Sequence, residues 1–197
     1  DIGRFEQLKR YDSFEPGTMD HAAYGVKVLF DEGMIRRFLP DDKWDSIIYT
    51  AIAHHSDYEL PEISDPQTLL HAKLIRDEDK LDNCRVKLVD STSTFINVSE
   101  EELGTQNITQ KVYETVFENK CILSADRVTQ MDYWVSYIVY LFDINFKESS
   151  DIIAENNYLN RIIDRIPYSN PVTKEQMENI RVYMQNFINS HTNSQSF

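Results

Sequence analysis

Two adjacent imidazoles, His54 and His55, close a run in which Trp44, Ile47, Ile48, Ala51 and Ile52 recur at the spacing of one apolar helix face. His55 follows Trp44 by eleven residues and His54 follows Ile47 by seven. At about 100° per residue both return close to that face. A lone histidine there reads as a hydrogen-bonded core residue. Two buried imidazoles need partners, and one metal ion satisfies both. The segment 66–81 repeats the feature with a carboxylate. Asp79 follows Ile75 by four residues and Ala72 by seven, so it points where the apolar side chains point. A buried carboxylate is costly unless it is paired or bound to a cation. Its neighbours Asp77, Glu78 and Asp82 read as a solvated acidic face. Arg76 and Lys80 flank Asp79 and are placed to reach a phosphate. A third segment starts at Asp20-His21, where Gly25 and Val28 follow His21 by four and seven residues. His21 therefore begins a buried stripe, and Ala22, Ala23 and Gly25 leave room for another helix to approach. His71 lies about 80° round its helix from Asp79 and reads as packing. His191 falls in the tail, with no specific role expected.

Three helices thus each turn a metal-ligand type inward: His21, the His54/His55 pair and Asp79. Helical bundles build metal sites from facing helices in this way. A nitrogen and oxygen ligand set without thiolate suits Fe, Mn, Zn, Ni or Co.

The elements that must position these residues are helical. Glycine is scarce, at 5 of 197 residues, and helical periodicity dominates over strand alternation. The spacing predicts helices at 18–38, 41–55, 66–81, 109–118, 124–146, 149–166 and 173–190. Pro16-Gly17, Leu39-Pro40 and Leu60-Pro61 punctuate the first half. Asp41 and Ser124 are the expected N-caps of the second and fifth helices. The stretch 86–108, rich in Ser, Thr and Asn, reads as a long connection, and Ser190 to Phe197 as a frayed tail. The expected organisation is a metal-binding core over 1–123 with a helical extension over 124–197 packed on it.

Composition narrows the function. Apolar residues make up 41% of the chain, which excludes a disordered segment. The net charge of -13 argues against polymeric nucleic acid as the partner, since duplex binding needs clustered Lys and Arg. Cys84 and Cys121 are too few for a disulfide framework and read as reduced thiols in a cytoplasmic protein. The longest apolar run, Tyr133 to Phe142, is half the roughly 20 residues needed to span a membrane, so no membrane role is expected. No signal peptide opens the chain. Asn97-Val98-Ser99 and Asn107-Ile108-Thr109 match the glycosylation pattern, which chance often produces. The aromatic residues Tyr133, Trp134, Tyr137, Tyr140, Phe142, Tyr183 and Phe187 read as core, with a lid or homodimer surface as the second reading.

Four segments together resemble the HD superfamily of metal-dependent phosphohydrolases. Asp1-Ile2-Gly3-Arg4-Phe5-Glu6-Gln7 resembles the sequence that follows the histidine of the His-Asp doublet naming that family. Asp20-His21-Ala22-Ala23-Tyr24-Gly25 looks like its next histidine segment, and Ala53-His54-His55 is similar to its later one. Ile75-Arg76-Asp77-Glu78-Asp79-Lys80-Leu81-Asp82 looks like its closing aspartate segment. The order and intervals fit over about residues 1–85. The chain opens at Asp1, so the histidine of the doublet and an earlier one are expected upstream in a longer protein.

The resemblance implies an all-α HD-domain bundle with one or two divalent transition-metal ions (Mn, Fe, Ni, Co or Zn). It implies that Asp1 holds or bridges metal, that His21 with His54 or His55 completes a second shell, and that Asp79 closes the first. The expected activity is hydrolysis of a phosphate ester or nucleotide by metal-activated water. Asp1, Arg4 and Lys80 are the expected catalytic groups, and Arg4, Arg76 and Lys80 the expected phosphate contacts. Glu6 or Asp57 is the candidate proton relay. The partner is then a small phosphorylated metabolite or nucleotide. A Gly-Tyr-Pro segment, which marks the cyclic-di-nucleotide branch, is not apparent. The rival expectations are an HD-type di-iron oxygenase and a non-catalytic nucleotide-binding module.

Overall fold

The computed structural model describes residues 2–14 and 17–194, and these are all-helical, with eleven α-helices and no strand. They fall into two compact units, 1–76 and 77–197, so the division lies well before the boundary expected at 123/124.

In the first unit, α1 (Ile2–Tyr11) and α3 (Asp45–Ala53) both pack on α2 (His21–Val26). Asp20 caps α2 by accepting from the Ala23 amide at 2.9 Å. The helix expected over 18–38 is broken. A π-turn over Lys27–Asp31 follows α2, Gly33 takes a left-handed φ of 75°, and a 3-10 turn spans Met34–Arg37. Only a residue without Cβ adopts that φ at no cost, so Gly33 ends the helix. Asp41 does not cap α3, because its carboxylate accepts from the Lys43 amide at 3.2 Å and α3 begins at Asp45. Trp44, expected in the core stripe, is exposed with Lys43 Nζ 4.4 Å over its ring.

Helix α1 approaches the α2 backbone closely at Gly3. A Cβ there would lie 2.6 Å from the carbonyl carbon and 2.7 Å from Cα of His21, and nearer still to its oxygen. At Gly25, one of the small residues expected to serve this purpose, a Cβ would sit 3.8 Å from Ile52 Cγ2, an ordinary contact, and Ala23 is exposed.

Helix α4 (Pro66–Val89) is capped by Asp65, which accepts from the Thr68 amide and hydroxyl at 2.8 and 2.6 Å. It runs two turns past the expected end at residue 81. Up to Arg76 its buried residues are Thr68, Ala72 and Arg76; beyond, they are Asp77, Lys80, Cys84 and Lys87. The second set lies about 100° round the helix from the first.

The second unit continues with α5 (Thr92–Ile96), α6 (Glu100–Leu103), α7 (Gln110–Val116), α8 (Gln130–Val139), α9 (Lys147–Glu155), α10 (Tyr158–Asp164) and α11 (Pro171–Ser194). The stretch 86–108 thus holds the end of α4 and two short helices as well as loop. Thr129, not Ser124, caps α8 in a reciprocal box with Asp132. Asp132 is fully buried and also accepts from the Thr109 and Val128 amides at 2.8 and 2.9 Å. Asn157, at φ 53°, divides the helix expected over 149–166. Trp134, Met131, Ile138, Ile163, Met177, Ile180 and Met184 are at most 1% exposed and form the centre of the core. Tyr133, Tyr137, Phe142, Tyr183 and Phe187 pack against it, as their core reading anticipates.

Lys87 is buried in this unit, its Nζ 4.1 Å over the Phe95 ring and 4.0 Å over the Tyr137 ring. Burial pushes its ammonium down to about 8 from the ordinary 10.5. Between those values the unfolded chain holds the proton and the folded one does not, so stability rises with pH. Against Lys87→Met, the native protein is expected to gain up to about 3 kcal/mol between pH 8 and 10.5, at roughly 1.36 kcal/mol per unit. Urea melts of both proteins at the two pH values measure that gain. A constant difference between them would show that the amine titrates as it does in water.

Candidate functional site

The structure brings two of the expected ligands together. His21, first residue of α2, and His55, two residues past the end of α3, place their Nε2 atoms 3.1 Å apart, with the rings edge-on at 84°. His55 Nδ1 lies 2.7 Å from the Ile52 carbonyl oxygen. That oxygen only accepts, so Nδ1 carries the hydrogen and Nε2 the lone pair. A backbone carbonyl holding the far nitrogen is the usual arrangement behind a metal-binding imidazole. His21 is 8% exposed. Burial, reinforced by the nearby Arg4 guanidinium and the His55 ring, pushes its imidazole down to about 4. At neutral pH it is therefore uncharged, the form that ligates metal.

The pair fits a shared cation. Two nitrogens bound to one ion at about 2.0–2.1 Å with tetrahedral angles lie roughly 3.3 Å apart, close to the 3.1 Å observed. Among the described residues no three His, Cys, Asp or Glu side chains gather closely enough to hold an ion. Asp1 lies outside the described residues.

His54 turns elsewhere. Its Nδ1 is 2.6 Å from Asp57 Oδ2, and both side chains are partly open, at 35% and 43%. Asp57 is thus joined to an imidazole, whereas Glu6 is held by Arg10 at 2.6 Å and lies near Lys9 at 4.0 Å. Arg4 donates to Gln7 Oε1 at 2.7 Å, and the fully buried Gln7 donates to Thr18 Oγ1 at 2.7 Å. That chain of bonds places a half-buried positive charge beside His21.

Five expectations change on α4. Asp79, expected to face inward, is exposed, and Asp77, expected on a solvated face, is 1% exposed. Asp77 accepts from the Asn145 amide at 2.9 Å, the Asn145 side chain at 2.9 Å and the Phe146 amide at 3.0 Å, just ahead of α9. The buried carboxylate that the pattern requires is real, but two positions earlier. Lys80, expected at a phosphate, is buried with Nζ 2.7 Å from Asp143 Oδ2. Arg76, also expected at a phosphate, is 2% exposed and donates to backbone carbonyls within its own unit. His71, expected to pack, is exposed. His191 is exposed on α11 with Nδ1 2.9 Å from the Phe187 oxygen.

Sequence reasoning missed Gly3, whose absent Cβ seats α1 on the His21 backbone, although the residue stands inside the recognised Asp-Ile-Gly-Arg segment. No family model, no curated protein and no solved structure matches the chain. No described helix is long and apolar enough to cross a membrane.

Proposed function

We propose that this chain is a metal-dependent phosphohydrolase of the HD type, acting on a small phosphate ester or nucleotide. The observation that carries the reading is the His21–His55 pair, two imidazole Nε2 atoms 3.1 Å apart, one with its far nitrogen held by a carbonyl. These two residues would hold a divalent transition metal, with Asp1 as the further ligand that the HD resemblance implies. A metal so bound supplies an acidified water and neutralises phosphoryl oxygens. Arg4 places a fixed positive charge beside His21, suited to a phosphate group. The His54–Asp57 pair supplies an imidazole held through Nδ1 by a carboxylate, an arrangement suited to moving a proton.

The test is metal analysis of the protein, with a panel of phosphorylated metabolites and nucleotides. The expected result is bound Mn, Fe, Ni, Co or Zn and turnover of at least one phosphate ester. His21→Ala and His55→Ala are each expected to weaken metal binding by more than about 100-fold, beyond the loss usual for groups that only support a ligand. His54→Ala is expected to lower turnover with a smaller change in affinity. A protein with neither bound metal nor turnover would sink the reading. A second reading, a nucleotide-binding module without catalysis, is favoured by the lack of a third ligand at the pair among the described residues. Its signature is a nucleotide that binds and is not cleaved.

A further inference from the structure

The turn that carries both imidazoles has little backbone bonding of its own. Helix α3 ends at Ala53. Beyond it the His54 amide reaches Thr50 O at 3.2 Å, the His55 amide reaches Ile52 O at 3.5 Å, and the Asp57 amide reaches His54 O at 3.4 Å. These are long bonds, and the last carbonyls of a helix have no partner within it.

Arg76 fills that gap. Its Nη1 donates to the carbonyl oxygens of Asp57 at 2.7 Å, His54 at 3.1 Å and His55 at 3.3 Å, and Nη2 lies 3.5 Å from Tyr58 O. The side chain comes from α4, some twenty residues along the chain, and is 2% exposed. A cation at a helix C-terminus meets the negative end of the dipole. The planar guanidinium spans several carbonyls at once, which the single ammonium of lysine does not. The four oxygens of these contacts belong to the turn 54–58, and two belong to the histidines themselves.

We propose that Arg76 is a positioning residue. Through the His54, His55 and Asp57 carbonyls it fixes the turn so that His55 Nε2 is presented beside His21 for a shared cation. The inference rests on the metal-binding reading above and assigns Arg76 a task other than contacting phosphate.

The test uses the full chain, cobalt(II) as the probe, and the visible absorption of bound cobalt together with calorimetry. Arg76→Lys keeps the charge and most of the stem, and Arg76→Ala opens a cavity shaped for a guanidinium. Both are expected to bind cobalt about 10- to 100-fold more weakly, the usual loss for a group supporting a ligand. Millimolar ethylguanidinium is expected to restore binding and the native cobalt spectrum in Arg76→Ala, and to leave the native protein unchanged. Should Arg76→Ala not fold, Arg76→Lys alone decides by its affinity and spectrum. Native affinity and spectrum in Arg76→Lys overturn the inference, as does a loss in Arg76→Ala that ethylguanidinium does not restore. Failure of the native protein to bind cobalt at all overturns the metal reading instead, and the inference falls with it.

Discussion

Gly3→Ala is expected to destabilise the first unit by about 3 kcal/mol or more, at or above the upper end of the usual cost of overpacking. The added Cβ would fall 2.6 Å from the His21 carbonyl carbon and 2.7 Å from its Cα, closer than real Cβ atoms approach any heavy atom. The obstacle is backbone, so no side chain can rotate away, and α1 must lift from α2. His21 is the residue displaced, so under the proposed function metal affinity should fall with stability. Gly25→Ala is the control. Its Cβ would meet only Ile52 Cγ2 at 3.8 Å. In α2 the change from glycine gains up to about 1 kcal/mol of helix propensity. Urea denaturation of the two variants should therefore move in opposite directions. If Gly3→Ala melts with the native protein, α1 and α2 do not touch as described.

Asp77→Ala is expected to cost about 3 kcal/mol, because it removes a buried carboxylate from three half-buried donors at once: the amides of Asn145 and Phe146 and the Asn145 side chain. Each unsatisfied donor costs roughly 1–3 kcal/mol, and the lost acceptor is a carboxylate. Asp79→Ala, two residues on and exposed, should change stability by no more than about 0.5 kcal/mol. Thermal melts of the two variants separate a fold-supporting carboxylate from an exposed one. A stability loss in Asp79→Ala as large as that in Asp77→Ala would show that the side chain at 79 is the buried one.

The exchange between these aspartates shows where periodicity stops being informative. Extending the apolar face through Ala72 and Ile75 selects position 79, on the premise that a helix buries one face along its length. Helix α4 does not. Its buried face turns by about 100° after Arg76, so the carboxylate that needs partners is Asp77. The same premise succeeds at His21, where α2 is short and faces one set of neighbours, and His21 is buried as its spacing to Gly25 and Val28 requires. At 54/55 periodicity brings both imidazoles near the buried face. It does not choose between them, because both lie past the last helical residue, where the turn and not the helix sets direction. The turn gives His55 to His21 and His54 to Asp57.

Arg76 and Lys80 differ from their sequence reading for a related reason. A cation beside a candidate ligand reads as a phosphate contact when only neighbours in sequence are visible. The carbonyls of 54–58 and the carboxylate of Asp143, which occupy these two cations, lie far along the chain.

The sequence by itself determined that the chain is helical and which segments carry the imidazoles and carboxylates, because helical spacing and capping act within a few residues. It also set His21 at the head of a buried stripe. Tertiary structure alone decided that His55 rather than His54 meets His21, that Asp77 rather than Asp79 is enclosed, and that Gly3 and Arg76 hold the two histidine-bearing segments. Each of those outcomes depends on a backbone or side-chain contact between residues remote in the chain, and no local pattern encodes such a contact.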